Sequence, residues 1–295
     1  MMTQQAPLFQ FLRRAPQQYL KEILSLYGPP VQSFTIDPEK QSQLRGARGT
    51  LLSIPPYAMV GLSGNPAKGR VELQLKEAFT PGEMIMAGRP TTSEDRLMES
   101  GGQLMIRASH KGLPLRLARP VEVGIPVHRG LRNASPMRLF TGSTSTFQAY
   151  SAGNDFDWRM VSEKAVRVTK IKGRKYYDFQ LDEFNWAGCE YFVARKASRC
   201  MVTARPVGAV NRFDSLMGYL VFKDIRAVAR MYPGKHNCTA VNIPERLSAS
   251  AHLIGVRKGI LYYGSGQVWR ASEKLVDVRM RPVMEKELAG ILREI

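Results

Sequence analysis

The sequence predicts a mainly β protein, with tandem β-sandwich-like domains flanked by a short N-terminal helix and a C-terminal helix. Three observations predict it. Short runs alternating apolar and polar residues recur from about residue 34 onward. Glycine and proline, 25 and 18 of the 295 residues, break those runs at close intervals, and only two stretches carry helical spacing. Alternation sets one face of a pleated strand on a core and the other in water, and many short strands at close spacing indicate a sandwich.

The elements follow in chain order. Residues 16–27, "PQQYLKEILSLY", place Tyr19, Leu20, Ile23, Leu24 and Tyr27 at helical spacing, with Pro16 to start the helix and Gly28-Pro29-Pro30 to stop it. That apolar face needs a cover, either the main body or another chain, and is a possible partner-docking surface. "GTLLSIP" (49–55), "GRVELQLKEA" (69–78), "GGQLMIRASHKG" (101–112) and "VEVGIPV" (121–127) read as strands, and 80–96 as a loop with about one helical turn. A second set comprises 164–171, 175–181, 219–225, 239–244, 250–265 and 274–280, with a hairpin turn after Arg257-Lys258-Gly259. A last helix starts near Pro282 and sets Met284, Leu288, Ile291 and Leu292 on one side. The division expected is an N-terminal arm and helix over 1–33, a first β-sandwich over 34–150, and a second β domain over 151–295 ending in the helix.

Forty-three Lys and Arg against 25 Asp and Glu leave a net charge of +18, spread over both halves of the chain. Such a surface draws acidic partners, whether nucleic acid, another polyanion or an acidic protein wall, and does so less as salt rises. Three cysteines at irregular spacing, Cys189, Cys200 and Cys238, exclude a disulfide-stapled scaffold. The N-terminal stretch has no apolar run of signal-peptide length, and no later stretch reaches the length of a membrane-spanning helix. The expectation is cytoplasmic synthesis without a signal peptide, with release or export inside a particle.

"FTIDPEKQSQLRGARGTLLSIPPYAM" resembles the opening of an uncharacterised group of Bacteroidota proteins, and the resemblance continues through "GRVELQLKEAFTPGEMIMAGRPTTSEDRLMESGGQLMIRASHKGLPLRL". "FDWRM" and "FNWAGCEYF" resemble that group's two Trp motifs, and "YLVFKDIRAVARMY" and the closing "ILREI" also fit, so that the resemblance covers roughly 34–295. The first half of the group is similar to the β-sandwich of ankyrins and netrin receptors, which implies a sandwich and extracellular relatives. It implies no catalytic residue. Typical members carry a leader and are not notably basic, and this chain departs from both.

The candidate sites are few. Cys189, beside Glu190 in "FNWAGCEYF", lacks a histidine in a recognisable catalytic context, and a neighbouring carboxylate raises a thiol pKa rather than lowering it. The motif therefore reads as structural, with Trp158, Asn185, Trp186, Cys189 and Phe192 packing. His236 and Cys238, with Cys189 and Cys200, have no zinc-ligand spacing. Glu94, Asp95 and Glu99 offer paired acids, but Arg89 and Arg96 stand close enough to pair with them, and Gly101-Gly102 reads as turn chemistry. No catalytic residue, metal ligand or cofactor is expected. The most suggestive patch is "KAVRVTKIKGRKYY" (164–177), where Lys164, Arg167, Lys170, Lys172, Arg174 and Lys175 interleave with apolar residues and two tyrosines, as on a polyanion-binding sheet.

These readings favour a non-enzymatic structural or interaction protein that docks with protein partners in a larger assembly. One concrete form is a component or passenger of an extracellular phage-tail-like (contractile injection) particle. Two alternatives stand beside it: a basic nucleic-acid or polyanion-binding protein, and a toxin or hydrolase whose site the sequence does not display.

Overall fold

The computed structural model describes residues 15–128, 137–144, 156–162, 166–193, 196–269, 271 and 274–295. It is mainly β, with several sheets, a short N-terminal helix α1 (Pro16–Tyr27) and a C-terminal helix α3 (Glu285–Arg293). Lys164 and residues 1–14 of the expected arm lie outside the described residues.

Two sheets make a sandwich. The first runs β1 (Gln32–Ile36), β5 (Val71–Ala78), β7 (Arg96–His110), β15 (Trp186–Phe192), β11 (Arg138–Thr144) and β12 (Phe156–Met160). Two short strands, β6 (Thr92–Ser93) and β8 (Leu113–Pro114), pair on β7. The second sheet runs β13 (Arg167–Ile171), β14 (Arg174–Leu181), β10 (Val121–Pro126), β3 (Leu51–Ile54) and β2 (Ser42–Arg45). A separate pair joins β4 (Met59–Val60) to β9 (Arg116–Leu117). The inward residues of both sheets interlock: Leu73, Leu75, Leu104, Ile106 and Cys189 from one, and Leu52, Ile54, Val123, Ile125, Tyr177 and Phe179 from the other. Each strand contributes every second residue, as the alternation in sequence requires.

The sheets change at residues 193–198, not at the expected division near residue 150. Strands β12 to β15 pair back onto β7, β10 and β11, so the stretch 156–192 completes the first two sheets. The third sheet runs β22 (Leu275–Arg279), β16 (Arg199–Val207), β19 (Cys238–Pro244), β18 (Val228–Pro233), β17 (Ser215–Phe222), β20 (Ala249–Arg257), β21 (Ile260–Val268) and β23 (Arg281–Pro282). Its β16–β22 pair is parallel, and the others are antiparallel. This sheet is buried on two sides. Leu220, Phe222, Ala251 and Leu253 face one core with Val276 and Val278, while Tyr219, Val221, Ile254 and Val256 face a second core under the helices.

The helices explain that second core. Leu20, Ile23 and Leu24 of α1 are buried against the chain's own body, beside Ile85 and Met86 of α2 (Pro81–Met86) and Leu288 and Leu292 of α3. Tyr19 and Tyr27 pack at the margin, and the Tyr19 hydroxyl donates to Glu285 Oε1 at 3.0 Å. The face expected to dock a partner is therefore covered from within the chain. Helix α2 lies inside the expected loop and is held by a capping box, in which the Glu83 amide donates to Thr80 Oγ1 and the Thr80 amide donates to Glu83 Oε2. Helix α3 starts at Glu285, three residues after Pro282: Met284 is the N-cap and is 77% exposed. No described helix is long and apolar enough to cross a membrane.

Candidate functional site

The "FNWAGCEYF" stretch forms β15, in the middle of the first sheet between β7 and β11. Its even and odd residues serve different cores. Trp186 and Phe192 face outward beside Met98, Met105, Phe140 and Trp158, and Cys189 faces the sandwich interior. Asn185 Nδ2 donates to the Gly142 carbonyl at 2.8 Å and Asn185 Oδ1 accepts from the Trp186 amide at 2.8 Å, which stitches the strand start to β11. Trp158 Nε1 donates to the Pro90 carbonyl at 2.8 Å. Arg89 does not pair with the neighbouring acids. Its guanidinium lies 3.8 Å from the Phe156 ring centre and 5.0 Å from that of Trp186.

The acids separate as well. Glu94 and Asp95 form the tight turn between β6 and β7 with positive φ, Glu94 pairs with Arg96 at 3.3 Å, and Asp95 accepts from the Tyr232 hydroxyl. Glu99 and Glu190 are buried. Gly101-Gly102 is no turn. It lies inside β7 opposite the register shift between Cys189 and Glu190, and Gly102 has φ +141 with Phe79 and Ile125 packed where a side chain would stand.

This register shift positions a polar cluster at the junction of the three sheets. Glu190 is fully buried and accepts from Ser100 Oγ at 3.0 Å and Gln103 Nε2 at 3.2 Å. Burial raises its pKa well above the usual carboxylate range, against those two hydrogen bonds and Arg226. Arg226 stands in the turn between β17 and β18 and is anchored by its carbonyl, which accepts from the Ser100 amide at 2.8 Å. Burial lowers its pKa, while Glu99, Tyr177 and Glu190 act to raise it. Burial, then Arg226, Arg48 and Arg174, pull the His128 imidazole down to about 4, with Glu83 opposing. The His128 ring meets Phe79 edge-on at 4.9 Å. Among the described residues, Arg226 Nη1, His128 Nε2, the Tyr177 hydroxyl and Glu190 Oε2 have no hydrogen-bond partner and are buried.

Cys189 is unsuited to nucleophilic attack there. Burial first and then Glu190 push its thiol pKa well up, leaving it protonated. All three cysteines are free and buried. His252, which sequence reasoning did not single out, is buried between Ser250 Oγ at 2.7 Å and the Tyr263 hydroxyl at 2.8 Å, away from any carboxylate hydrogen bond. Among the described residues, no group of three or more His, Cys, Asp or Glu could hold a metal ion.

The basic run forms the hairpin β13–β14 at the edge of the second sheet, with Lys172 and Gly173 in its turn, both at positive φ. Lys170 lies opposite Lys175, Ile171 opposite Arg174 and Arg167 opposite Asp178. Cross-strand partners share a face, so the charge divides over two faces rather than gathering on one. Arg167 is paired with Asp178 at 3.0 Å, but Lys170, Lys172 and Lys175 have no ion-pair partner among the described residues. Val168 and Ile171 are 40% and 43% exposed, whereas Tyr176 and Tyr177, which the sequence suggested as part of the same surface, are buried.

Comparison with protein-family models, with curated proteins and with solved structures finds no match to this chain.

Proposed function

We propose that the protein is a non-enzymatic structural or interaction module that docks in a larger assembly, with the β13–β14 hairpin as the docking element. One observation carries the reading. Lys170 and Lys175 stand directly opposite each other at an exposed hairpin tip, with Lys172 in the turn and no acidic partner among the described residues. Like charges at opposed positions destabilise a strand pair, so an acidic partner that neutralises them gains the repulsion back as affinity. Exposed Val168, on the same face, supplies apolar contact. Helix α1 supplies none, because its own body occupies its apolar face.

An acidic protein surface suits this hairpin better than nucleic acid. Single strands bind on basic grooves whose exposed aromatics stack the bases, and both tyrosines of the hairpin are buried. One concrete assembly is a contractile, phage-tail-like particle in which a chain of net charge +18 would sit against an acidic wall as component or passenger.

The test compares the full chain with a variant carrying Lys170→Glu, Lys172→Glu and Lys175→Glu. Wild type is expected to bind poly-glutamate, with affinity falling steeply as salt rises, and the variant to lose that binding. Tighter binding to single-stranded DNA than to the acidic polypeptide favours the nucleic-acid alternative. A flat salt dependence discards both. Mass spectrometry of purified extracellular particles tests the particle form, which fails if the chain is absent from them.

A further inference from the structure

Strand β13 is the open edge of the second sheet: it pairs with β14 on one side and, among the described residues, with no strand on the other. Its register fixes which backbone groups face the open side. Lys172 and Gly173, with φ of 47° and 82°, make a two-residue turn, so the flanking pair Ile171 and Arg174 exchanges hydrogen bonds and the next pair does not. Arg167, Thr169 and Ile171 therefore bond to β14, while the N–H and C=O of Val168 and Lys170 point outward. Two contacts agree with this. Lys175, opposite Lys170, turns its carbonyl away from β13 to accept from the Val127 amide at 2.9 Å. Val166, in phase with Val168 and Lys170, gives its amide to the Met137 carbonyl, outside β14, at 2.7 Å. The side chains leave the edge open too, since all of β13 but Thr169 is exposed.

We infer that β13 takes up an added strand, an extended acidic segment of a partner protein that bonds main chain to main chain with Val168 and Lys170. The inference rests on the hairpin being the docking element, and it names how the partner is held. Outward N–H and C=O groups at a sheet edge are a template for pairing, and the side chains of the added strand decide which partner fits. Val168, Thr169 and Ile171 are β-branched, which suits a strand that gains a neighbour. The charge selects the occupant. A second copy of β13 would bring Arg167 and Lys170 against basic residues of its own kind, and lysines at an edge deter that pairing. A strand with acidic residues at alternate positions instead sets them beside Lys170, at the end of the hairpin where Lys172 and Lys175 also stand. Arg167 is already engaged by Asp178, so the selecting charge lies at the turn end.

The test uses the full chain and two acidic probes, a peptide of alternating Glu and Val and poly-glutamate, with affinity titration and amide hydrogen exchange as readouts. The alternating peptide should bind more tightly, because it can lie extended with its acids on one face, and the Val168 and Lys170 amides should become protected in the complex. Val168→Pro removes one outward N–H while keeping every lysine and the bonds to β14, at an edge position that proline tolerates. It should weaken binding of the alternating peptide about tenfold or more, against less than about threefold for Val168→Thr, which keeps the amide. The exchange measurement on wild type needs no variant, so it decides the matter even if Val168→Pro loosens the hairpin. Binding without protection of these amides, or equal binding by Val168→Pro and Val168→Thr, overturns the inference and leaves docking by side-chain charge in place. Protection of the same amides by self-association without peptide overturns it in favour of a second copy. Binding of neither probe removes the docking reading as well.

Discussion

Lys170 stands directly opposite Lys175 across the β13–β14 hairpin, one residue pair from its turn. Replacing one of them should separate stability from binding. In Lys175→Glu the opposed pair becomes attractive, and the variant should be more stable by about 0.5 kcal/mol at low salt, an advantage that fades as salt rises. Its affinity for an acidic partner should fall. Denaturant unfolding at two salt concentrations, alongside the binding titration, checks both. A variant that loses stability as well would mean that Lys175 has an intramolecular role in the hairpin.

The sequence displayed this hairpin plainly, and also β5 and β14, whose residues alternate; β10 and the β20–β21 pair it displayed through their apolar residues and the Lys258-Gly259 turn, although β20 is buried on both faces. It did not display what pairs with what. No local pattern reports that 186–192 lies against 98–105, so composition alone puts the division near residue 150 when the sheets change at 193–198. The parallel pairing of β16 with β22 joins residues far apart in the chain and leaves no local trace. The same limit governs the sites. The spacing of α1 shows that Leu20, Ile23 and Leu24 need a cover but not that α2 and α3 supply it, and nothing in "KDIRAV" marks Arg226 as the residue that reaches the sandwich. The two tyrosines after the basic run read as surface in the sequence. They are core, because both faces of β14 are covered where it leaves the hairpin tip.

Glu190 makes the folded state sensitive to alkali. Its folded pKa is raised, so the folded chain keeps a proton that the unfolded chain releases above about pH 4.3. Its contribution is fully present below that pH and is lost as pH rises toward the folded value. Glu190→Gln keeps an acceptor for Ser100 and Gln103 and removes the ionisation. The variant should match wild type near about pH 4 and exceed its stability at about pH 8. Unfolding free energies across that range check it, and a constant difference would show that Glu190 is charged in the fold.

His252 acts with the opposite sign. Burial holds its folded pKa at about 4, so between there and about 6.5 the unfolded imidazole binds a proton that the folded one refuses. Stability from this group is present above about pH 6.5 and falls on acidification, by about 3 kcal/mol at full extent. The difference between wild type and His252→Gln isolates it from the Glu190 effect. That difference should change through this window, and an NMR titration should place the imidazole below pH 5.

Cys189 is fully buried among Leu104, Ile125 and Tyr177 in the sandwich core, so its thiol should be inert. A maleimide or disulfide reagent should label Cys189 only as the protein unfolds. Cys189→Ser places a hydroxyl in an apolar site and should cost about 1–3 kcal/mol. Rapid labelling of the native protein would show that the strand opens locally.

Gly82 of α2 is packed so tightly against α3 that a Cβ there would lie 1.6 Å from the Leu292 carbonyl oxygen. The contact brings the positive N-terminal end of one helix against the negative C-terminal end of the other, where their dipoles attract. Gly82→Ala must push the helices apart, and because the obstacle is backbone, no rotamer change relieves it. The expected cost is about 3 kcal/mol or more. Gly290→Ala, on α3, is the control: a Cβ there meets nothing within 4 Å, so the variant should gain up to about 1 kcal/mol from helix propensity. Opposite signs in parallel thermal melts would establish the α2–α3 contact as a specific close approach, and a neutral Gly82→Ala would place the two helices farther apart.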